Sequence, residues 1–542
     1  MSLGNFRTLL VPCALFAAIF WPAPAGAQLR VVTYNTAIAN TTLDIYTARA
    51  GMDVVLEAIG DELVGGIAKP IDVLLLQEQQ SMSLSTQSIV DLLNGIYGAG
   101  TYARSSIDGI KSNPNNSGGV PGLIYNTQTV ELIQETQFGS VGTGEFEQPR
   151  ATLRYQLRPV GYDSSADFYA YNSHYKSDTG TINNNRRLAE AQAIRTNSDA
   201  LGDGVHAIYA GDYNIQTSSG TMYQHLLSSG NGQAFDPINA PGSWNGNTSF
   251  KSVHTQSPAN TGTLGLTGGG VDDRFDFQLT TGEFLDGEGL SYLPGSYHAF
   301  GNNGTHACCN AGIDTGTGAS PEVLAALMTA SDHLPVVADY QLPASMMASV
   351  ASVPTNVMLG DTVGIDVFVQ NIADVLTANG ADELDYAISV AGSLLGSANG
   401  SILALTGVDT QQVFLDTSTA GLRIGTVTVA TASQGAANAL YEFPIEFFVA
   451  SFLAADFNQD GNVDALDLAE WQGDFGIDAD SDADFDGDTD GRDFLIWQRQ
   501  YGLSTLPLVT GSTVTVPEPA SVLLLGSYAC LWVVSRRPKT HS

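Results

Sequence analysis

The sequence predicts an α/β fold for residues 28–343, followed by a small β-sandwich and an acidic helical module. Three observations carry this. Up to about residue 343, short apolar runs with strand character alternate with stretches of helical spacing. From Ala344 onward, β-rich runs separated by Gly, Asn and Ser turns replace them. Between residues 451 and 505, an acidic pattern occurs twice, 26 residues apart.

Residues 1–27 carry Arg7, an apolar run from Leu9 to Phe20, and Ala25-Gly-Ala27 with small residues at both cleavage-determining positions. They read as a secretory signal cut after Ala27. An uncleaved anchor fits less well, because the run is short for a membrane span. The protein is therefore expected to leave the cytoplasm.

The first strand is Leu29 to Asn35, which ends in an amide, and Thr47 to Ile67 has helical spacing. Asp72 to Glu78 is a buried strand ending in a carboxylate, and Tyr169 to His174 is an alternating strand ending in an imidazole. Asn185 to Leu201 returns to helical spacing, with Arg187, Glu190, Ala191 and Ile194 on neighbouring turns. The apolar run Val205 to Ala210 then leads into Gly211-Asp212-Tyr213-Asn214, and Ser331-Asp332-His333 precedes the strand Leu334 to Tyr340.

Each motif is short, and Gly-Asp-x-Asn alone is an ordinary turn. Five strands that gather Asn, Glu, His and Asp at their ends are harder to attribute to packing, because an apolar core gives polar groups no reason to collect. Asp212 accepts hydrogen bonds or binds a metal, while Asn214 donates and accepts. Segments 231–270 and 301–320, rich in Gly, Asn, Ser and Thr, are expected to be long loops near the site mouth.

These motifs resemble the endonuclease/exonuclease/phosphatase family of metal-dependent phosphodiesterases, which includes deoxyribonuclease-like and sphingomyelinase-like members. The resemblance spans about residues 29–343 and lies in Val-Val-Thr-Tyr-Asn35, Leu-Leu-Gln-Glu78, Asn172-Ser-His174, Gly-Asp212-Tyr-Asn214, Arg274-Phe-Asp276-Phe and Ser-Asp332-His333, in the family's order. It implies a four-layer α/β/β/α sandwich. It also implies Mg²⁺ or Mn²⁺ held chiefly by Glu78, with Asn35 and Asp332 close, directly or through water. By the same resemblance, His333 paired with Asp276 activates the attacking water, Asp212 and Asn214 position water and phosphate, and His174 stabilises the transition state. For His206, His225 and His254 a structural role is expected.

In residues 345–450, the runs Thr362 to Gln370, Tyr386 to Gly392, Gln411 to Leu415, Thr426 to Ala430 and Tyr441 to Val449 carry almost no residues of catalytic type. They read as a β-sandwich spacer. In residues 451–505, Asp456, Asn458, Asp460, Asn462, Asp464 and Asp467 are matched by Asp482, Asp484, Asp486, Asp488, Asp490 and Asp493, with Gly461 and Gly487 at the sixth position. Oxygen ligands at this spacing with Gly at the turn are those of an EF-hand-type Ca²⁺ loop. Trp471-Gln472 and Phe475-Gly476 recur as Trp497-Gln498 and Tyr501-Gly502, which a disordered acidic run would not require. Asp rather than Glu at position 12 resembles dockerin type I repeats, which implies a cohesin-like protein partner.

Residues 516–542 hold Val516-Pro-Glu-Pro519, an apolar run to Val534, and Arg536, Arg537 and Lys539. Basic residues after an apolar run keep that end cytoplasmic. The segment resembles a PEP-CTERM sorting tail, which implies a transient membrane segment and removal by a sorting peptidase. A permanent short anchor is the alternative. The destination in either case is the cell surface or beyond.

The formal charge of −35 is spread along the chain: 31 acids against 14 bases in residues 29–344, 10 against 1 in 345–450, and 14 against 2 in 451–505. Such a chain repels polyphosphates at long range, so nucleic acid binding needs a local basic patch and a divalent cation. Arg104, Lys111, Arg150, Lys176, Arg186 and Arg187 are the candidates, each expected individually to be a solvated surface charge. Cys308 and Cys309 are the only cysteines outside the terminal segments, and a vicinal disulfide, two free thiols or bridges to another molecule all remain open. The expected activity is hydrolysis of extracellular nucleic acid. A lipid or small-molecule phosphodiesterase or phosphatase is the alternative, and a non-catalytic surface binding protein is a weaker one.

Overall fold

A computed structural model describes residues 28–38, 46–112, 118–450 and 452–504. The expected signal at 1–27 and sorting tail at 516–542 lie outside the described residues. The chain divides into two compact units: residues up to 352 with 364–415 and 425–445, and residues 353–363 and 416–424 with those from 446 onward.

The first unit contains a mixed α/β, sheet-rich body. Its strands, in chain order, are β1 (Leu29–Asn35), β2 (Val73–Gln79), β3 (Tyr102–Arg104), β4 (Val120–Asn126), β5 (Val130–Phe138), β6 (Thr152–Pro159), β7 (Phe168–His174), β8 (His206–Asp212), β9 (Asp276–Thr280), β10 (His298–Ala299) and β11 (Val336–Tyr340). They form one sheet ordered β10-β11-β1-β2-β4-β3 and a second ordered β9-β8-β7-β6-β5. Each sheet has one parallel pair, β1 with β2 and β7 with β8. Parallel strands covered on both faces read as unbroken apolar runs, and Val73 to Leu76 is one.

Alternation then sorts these side chains into layers. Val31, Val73 and Leu75 from the first sheet meet Leu153, Tyr155, Ala170 and Ile208 from the second in one core. Val32, Leu74 and Leu76 point the other way, onto helices α1 (Met52–Asp61), α2 (Gln87–Tyr97) and, after the two helices named next, α5 (Pro321–Ala330). Tyr171, Ala207 and Tyr209 pack against α3 (Thr181–Asp199) and α4 (Thr221–Leu226). The cores thus stack helix, sheet, sheet and helix.

The long first helix expected over 47–67 is shorter. Gly51, at φ 87°, precedes it, and Gly65-Gly66, both at positive φ, turn Leu63–Val64 back onto Ile67–Ala68 as a small hairpin. Segments 231–270 and 301–320 are loops with short 3₁₀ turns at Thr248–Val253 and Ile313–Thr315. Further along the first unit, Met346–Val350 pairs with Gly364–Asn371, which pairs in turn with Asp409–Leu415. Leu384–Gly392 lies between Ala398–Ile402 and the strand Gly421–Thr431, with which it pairs from Gly425 to Thr431.

In the second unit, helices Ala465–Asp474 and Gly491–Gln500 start at Asp464 and Asp490, whose side chains accept from Leu466 N and Arg492 N. Asp467 and Asp493, both fully buried, close the matching capping boxes. The two repeats clasp each other reciprocally: Trp471 Nε1 donates to Asp490 O at 3.0 Å and Trp497 Nε1 to Asp464 O at 2.9 Å.

Candidate active site

Strand register decides which side chains meet. In the second sheet Asp212 sits opposite His174 on its parallel partner and opposite Asp276 on its antiparallel partner. In the first sheet Asn35 pairs with Gln77, one residue before Glu78. The two sheet ends face each other. Asn35 Nδ2 donates to Asp212 Oδ2 at 3.1 Å and lies 3.4 Å from Glu78 Oε1.

Glu78 owes its direction to an irregularity. The β2–β4 register shifts between Leu76 and Gln79, and Glu78 takes φ 57°, a left-handed conformation that a non-glycine residue holds only at some cost. Gly119 makes room for it, since a Cβ there would lie 2.4 Å from Glu78 C. Asn172, on β7, braces the same bulge from the other sheet. Its amide donates to Leu76 O and Gly122 O at 3.0 and 2.8 Å, and its oxygen accepts from Gln77 Nε2 at 2.8 Å.

Two imidazoles converge on Asp212 Oδ2, with His174 Nε2 at 3.4 Å and His333 Nε2 at 3.8 Å. His174 Nε2 is also 3.8 Å from Glu78 Oε1. Burial, with Arg150 and His333 nearby, holds the His174 imidazole well below its usual range, so it is neutral at pH 7. His333 goes the other way. Burial disfavours its charge, but Asp276, whose Oδ2 lies 2.8 Å from Nδ1, and Asp212 outweigh this and raise it to about 10. Asp212 is pushed up to about 7 by burial, against the pull of His333.

The remaining expected residues lie here too. Asn214, at φ 51°, donates its N–H to Asp212 Oδ1 at 2.9 Å and its amide to Tyr175 O at 3.2 Å. Asp332 Oδ2 accepts from Thr267 N at 2.7 Å. Asp332 also raises Glu78, whose carboxyl burial already lifts above the ordinary range. The backbone of this corner is tied down by Ser331, whose hydroxyl donates to Asn35 O at 2.5 Å and accepts from His333 N.

The chemistry of this donor set fits a hard divalent cation. Glu78 and Asp332 are oxygen donors whose mutual repulsion a cation relieves. Asp212, Asp276 and His333 also have ligand atoms within 4.8 Å of one another. There, however, the His333–Asp276 hydrogen bond already occupies one nitrogen and one oxygen, which suits proton handling. Asn35 directs its N–H₂ at the carboxylates, and its oxygen accepts from Ala37 N at 3.1 Å.

Sequence reasoning missed several partners. Gln256, from the long loop, lies 2.9 Å from His333 Nε2. Turning its amide exchanges N–H₂ for oxygen, so the contact serves both the neutral ring and the imidazolium. Arg49 bonds Ala37 O and Leu264 O and acts electrostatically on Asp332 and Glu78. Glu190 is a fully buried carboxyl raised to about 8 by burial, opposed chiefly by Arg150.

The cations expected to be solvated surface charges are largely not so. Arg150, Arg186 and Arg187 are buried and serve as clamps. Arg150 Nη1 donates to His174 O at 2.7 Å, Arg186 Nε to Glu147 O at 2.8 Å, and Arg187 Nη1 to Asp178 O at 2.9 Å. Lys176 pairs with Asp178 at 3.0 Å, Lys111 bridges to Arg150 through its backbone, and Arg104 bonds Gln87. Elsewhere, His254 contacts Trp244 O and Val271 O, and His206 packs edge-on to Phe284.

In the acidic repeats, Asp456 accepts from Asp460 N and Gly461 N, and Asp482 accepts equivalently from Asp486 N and Gly487 N. Asp482, Asp484 and Asp486 have oxygens within 4.8 Å of one another.

No protein-family model matches the chain, and no curated protein matches it significantly. Among solved structures, it is similar to the catalytic domain of human Nocturnin with bound sulfate, at 17% identity over 59% of this chain and 96% of that one, TM-score 0.35. It is similar to the endonuclease/exonuclease/phosphatase from Bacteroides vulgatus at 17% identity over 58% and 99%, TM-score 0.34. D. rerio TDP2 complexed with a single-strand DNA product aligns at 13% identity over 58% and 99%, TM-score 0.34.

Proposed function

We propose that the chain is a metal-dependent phosphoester hydrolase acting on phosphodiesters, with extracellular nucleic acid as the preferred substrate. The observation that carries this is the convergence of His174 and His333 on the single carboxylate of Asp212, with Glu78 and Asn35 facing it from the other sheet. One neutral and one charged imidazole beside a cluster of carboxylates is an arrangement for moving protons around an anionic centre.

Glu78 would hold Mg²⁺ or Mn²⁺, with Asn35 and Asp332 assisting through water, and such a cation neutralises phosphate and leaving-oxygen charge. His174, neutral, offers an N–H to a phosphate oxygen as charge builds there. Asp276 fixes the His333 ring, so that Nε2 faces Asp212 and the substrate side. Loss of the His333 proton then gives a base for water, which Asp212 and Asn214 orient.

The nuclease preference rests on cations close to the site within an acidic chain. Arg150, Lys176 and Arg187 act electrostatically on His174 or Asp212 and so lend the site a local positive field, although Arg150 and Arg187 are themselves buried against backbone carbonyls. A lipid or small phosphoester substrate is the alternative. Incubating the whole mature chain with plasmid, RNA, sphingomyelin and a generic phosphodiester, with Mg²⁺ and with chelator, separates the classes. Metal-dependent cleavage of plasmid or RNA is expected, and release from lipid or small ester alone would overturn the nuclease preference.

The same proposal covers the rest of the chain. A cleaved signal exports the protein, the dockerin-like repeats bind Ca²⁺ and dock a cohesin-like partner, and a sorting peptidase processes the carboxyl-terminal tail. The reciprocal Trp471 and Trp497 contacts support paired loops that work as one module.

A further inference from the structure

Cys308 and Cys309 are joined in a vicinal disulfide on the loop that also carries His306. One nitrogen each of His254 and His306 and the sulfur of Cys308 lie within 4.8 Å of one another. The two imidazoles come from different loops and are both buried, at 0% and 1% exposure. Asn302 fastens these loops together, donating to His254 O and Lys251 O at 2.8 Å each.

The hydrogen bonds set the tautomers. His254 Nε2 lies 2.8 Å from Trp244 O, and His306 Nε2 lies 3.2 Å from Val271 O. A carbonyl only accepts, so His306, whose carbonyl contact is through Nε2, keeps its lone pair on Nδ1, and in His254 the shorter of its two carbonyl contacts assigns the proton to Nε2. His306 Nδ1 is buried with no hydrogen-bond partner. His254 Nδ1 has only Val271 O at 3.3 Å, another acceptor that a lone pair cannot satisfy. Burial holds both rings below the usual imidazole range, so both are neutral, the form that ligates metals. A backbone carbonyl on the far nitrogen is also how metal-binding imidazoles are commonly oriented.

We infer that His254, His306 and Cys308 form a second cation site, separate from the catalytic one, that takes a borderline or soft ion such as Zn²⁺ once the Cys308–Cys309 disulfide is opened. A disulfide sulfur is a poor ligand and a thiolate a good one. An external dithiol supplies two electrons and two protons, is itself oxidised to a disulfide, and leaves thiols at Cys308 and Cys309. The Cys308 thiol then releases its proton to solvent as its sulfur binds the ion. Two nitrogens and one sulfur leave a fourth, open position. Ligand atoms around a tetrahedral Zn²⁺ are about 3.3 to 3.8 Å apart, so a cluster spanning 4.8 Å closes by shifts of an ångström or less.

Co²⁺ is the probe, because a thiolate-to-cobalt charge-transfer band reports sulfur ligation alone and is silent for carboxylate sites. Cys13 and Cys530, the other cysteines of the chain, are replaced by Ser in every sample. The band should appear in full-length protein reduced with a phosphine and freed of reductant, and in Cys309→Ser without reductant. It should be absent from oxidised protein and from Cys308→Ser. His306→Gln should weaken Co²⁺ binding read at this band by at least about tenfold. No band in the reduced full-length protein overturns the site even where Cys309→Ser does not fold. A band that survives unchanged in Cys308→Ser or in the His254→Gln/His306→Gln pair overturns it as well.

Discussion

Asn35 and Asp212 belong to different sheets, and the 3.1 Å hydrogen bond between them joins those sheets at the end where the polar strand termini collect. Of the two carboxylates it serves, Glu78 raises the proton affinity of Asp212. The contact therefore shares one amide between two acidic side chains and offsets part of the cost of holding them together.

His333 should report the protonation state of the site. With its folded pKa raised to about 10, its stabilising contribution is fully present below the unfolded value near 6.5 and is lost as pH rises towards 10. Metal-free protein should accordingly lose stability between those limits, and Asp276→Asn should flatten that loss. NMR titration of the His333 ring is expected to show the high value in wild type, a lower one in Asp276→Asn, and a lower one again with Mg²⁺ added. Turnover in Asp276→Asn should fall by about 10² to 10⁴.

Asn172→Ala should be costly although the residue touches no expected substrate atom. It removes a buried hydrogen bond from each of Leu76 O, Gly122 O and Gln77 Nε2, the last of which keeps Thr33 Oγ1 and Leu75 O. A loss of about 2 to 4 kcal/mol is expected from urea unfolding, together with reduced activity because the Glu78 bulge loses its brace.

Gly119→Ala tests the bulge from the other side. At φ 53°, its new Cβ would press on the Glu78 backbone. Destabilisation of about 1 to 3 kcal/mol and impaired Mg²⁺ binding by calorimetry are expected. Wild-type metal affinity in this variant would show that Glu78's position is less constrained than its geometry implies.

For the acidic repeats, Ca²⁺ should order the module, because cations relieve repulsion among fourteen acids and supply folding energy. Circular dichroism should change on titration in wild type. The Asp456→Ala/Asp482→Ala pair should show little change, and an equal response in that pair would leave the acid cluster without a specific site.

The strand-borne residues were legible because a polar side chain ending an apolar run is anomalous for a core. Asn35, Glu78, His174 and Asp212 all carry that signal. Gln256, Thr267 and Arg49 carry none, since a loop's path across a site depends on turns that no periodicity encodes. Asn172 stood in plain view two residues before His174, but its role as a clasp depends on the neighbouring sheet. Arg150 and Arg187 looked like surface charge because composition does not reveal that backbone carbonyls surround them. Gly51 and the Gly65-Gly66 pair lie on either side of the first helix, and the expected length overran both.

The central claim is tested most directly by measuring turnover of a generic phosphodiester by wild type and Glu78→Gln, each with chelator and with Mg²⁺ or Mn²⁺. Wild type should be inactive with chelator and restored by either ion. The variant should retain its fold by circular dichroism and lose at least about a hundredfold in kcat. Turnover that ignores chelator, or a folded Glu78→Gln protein with near wild-type kcat, would contradict a metal-dependent hydrolase built on Glu78.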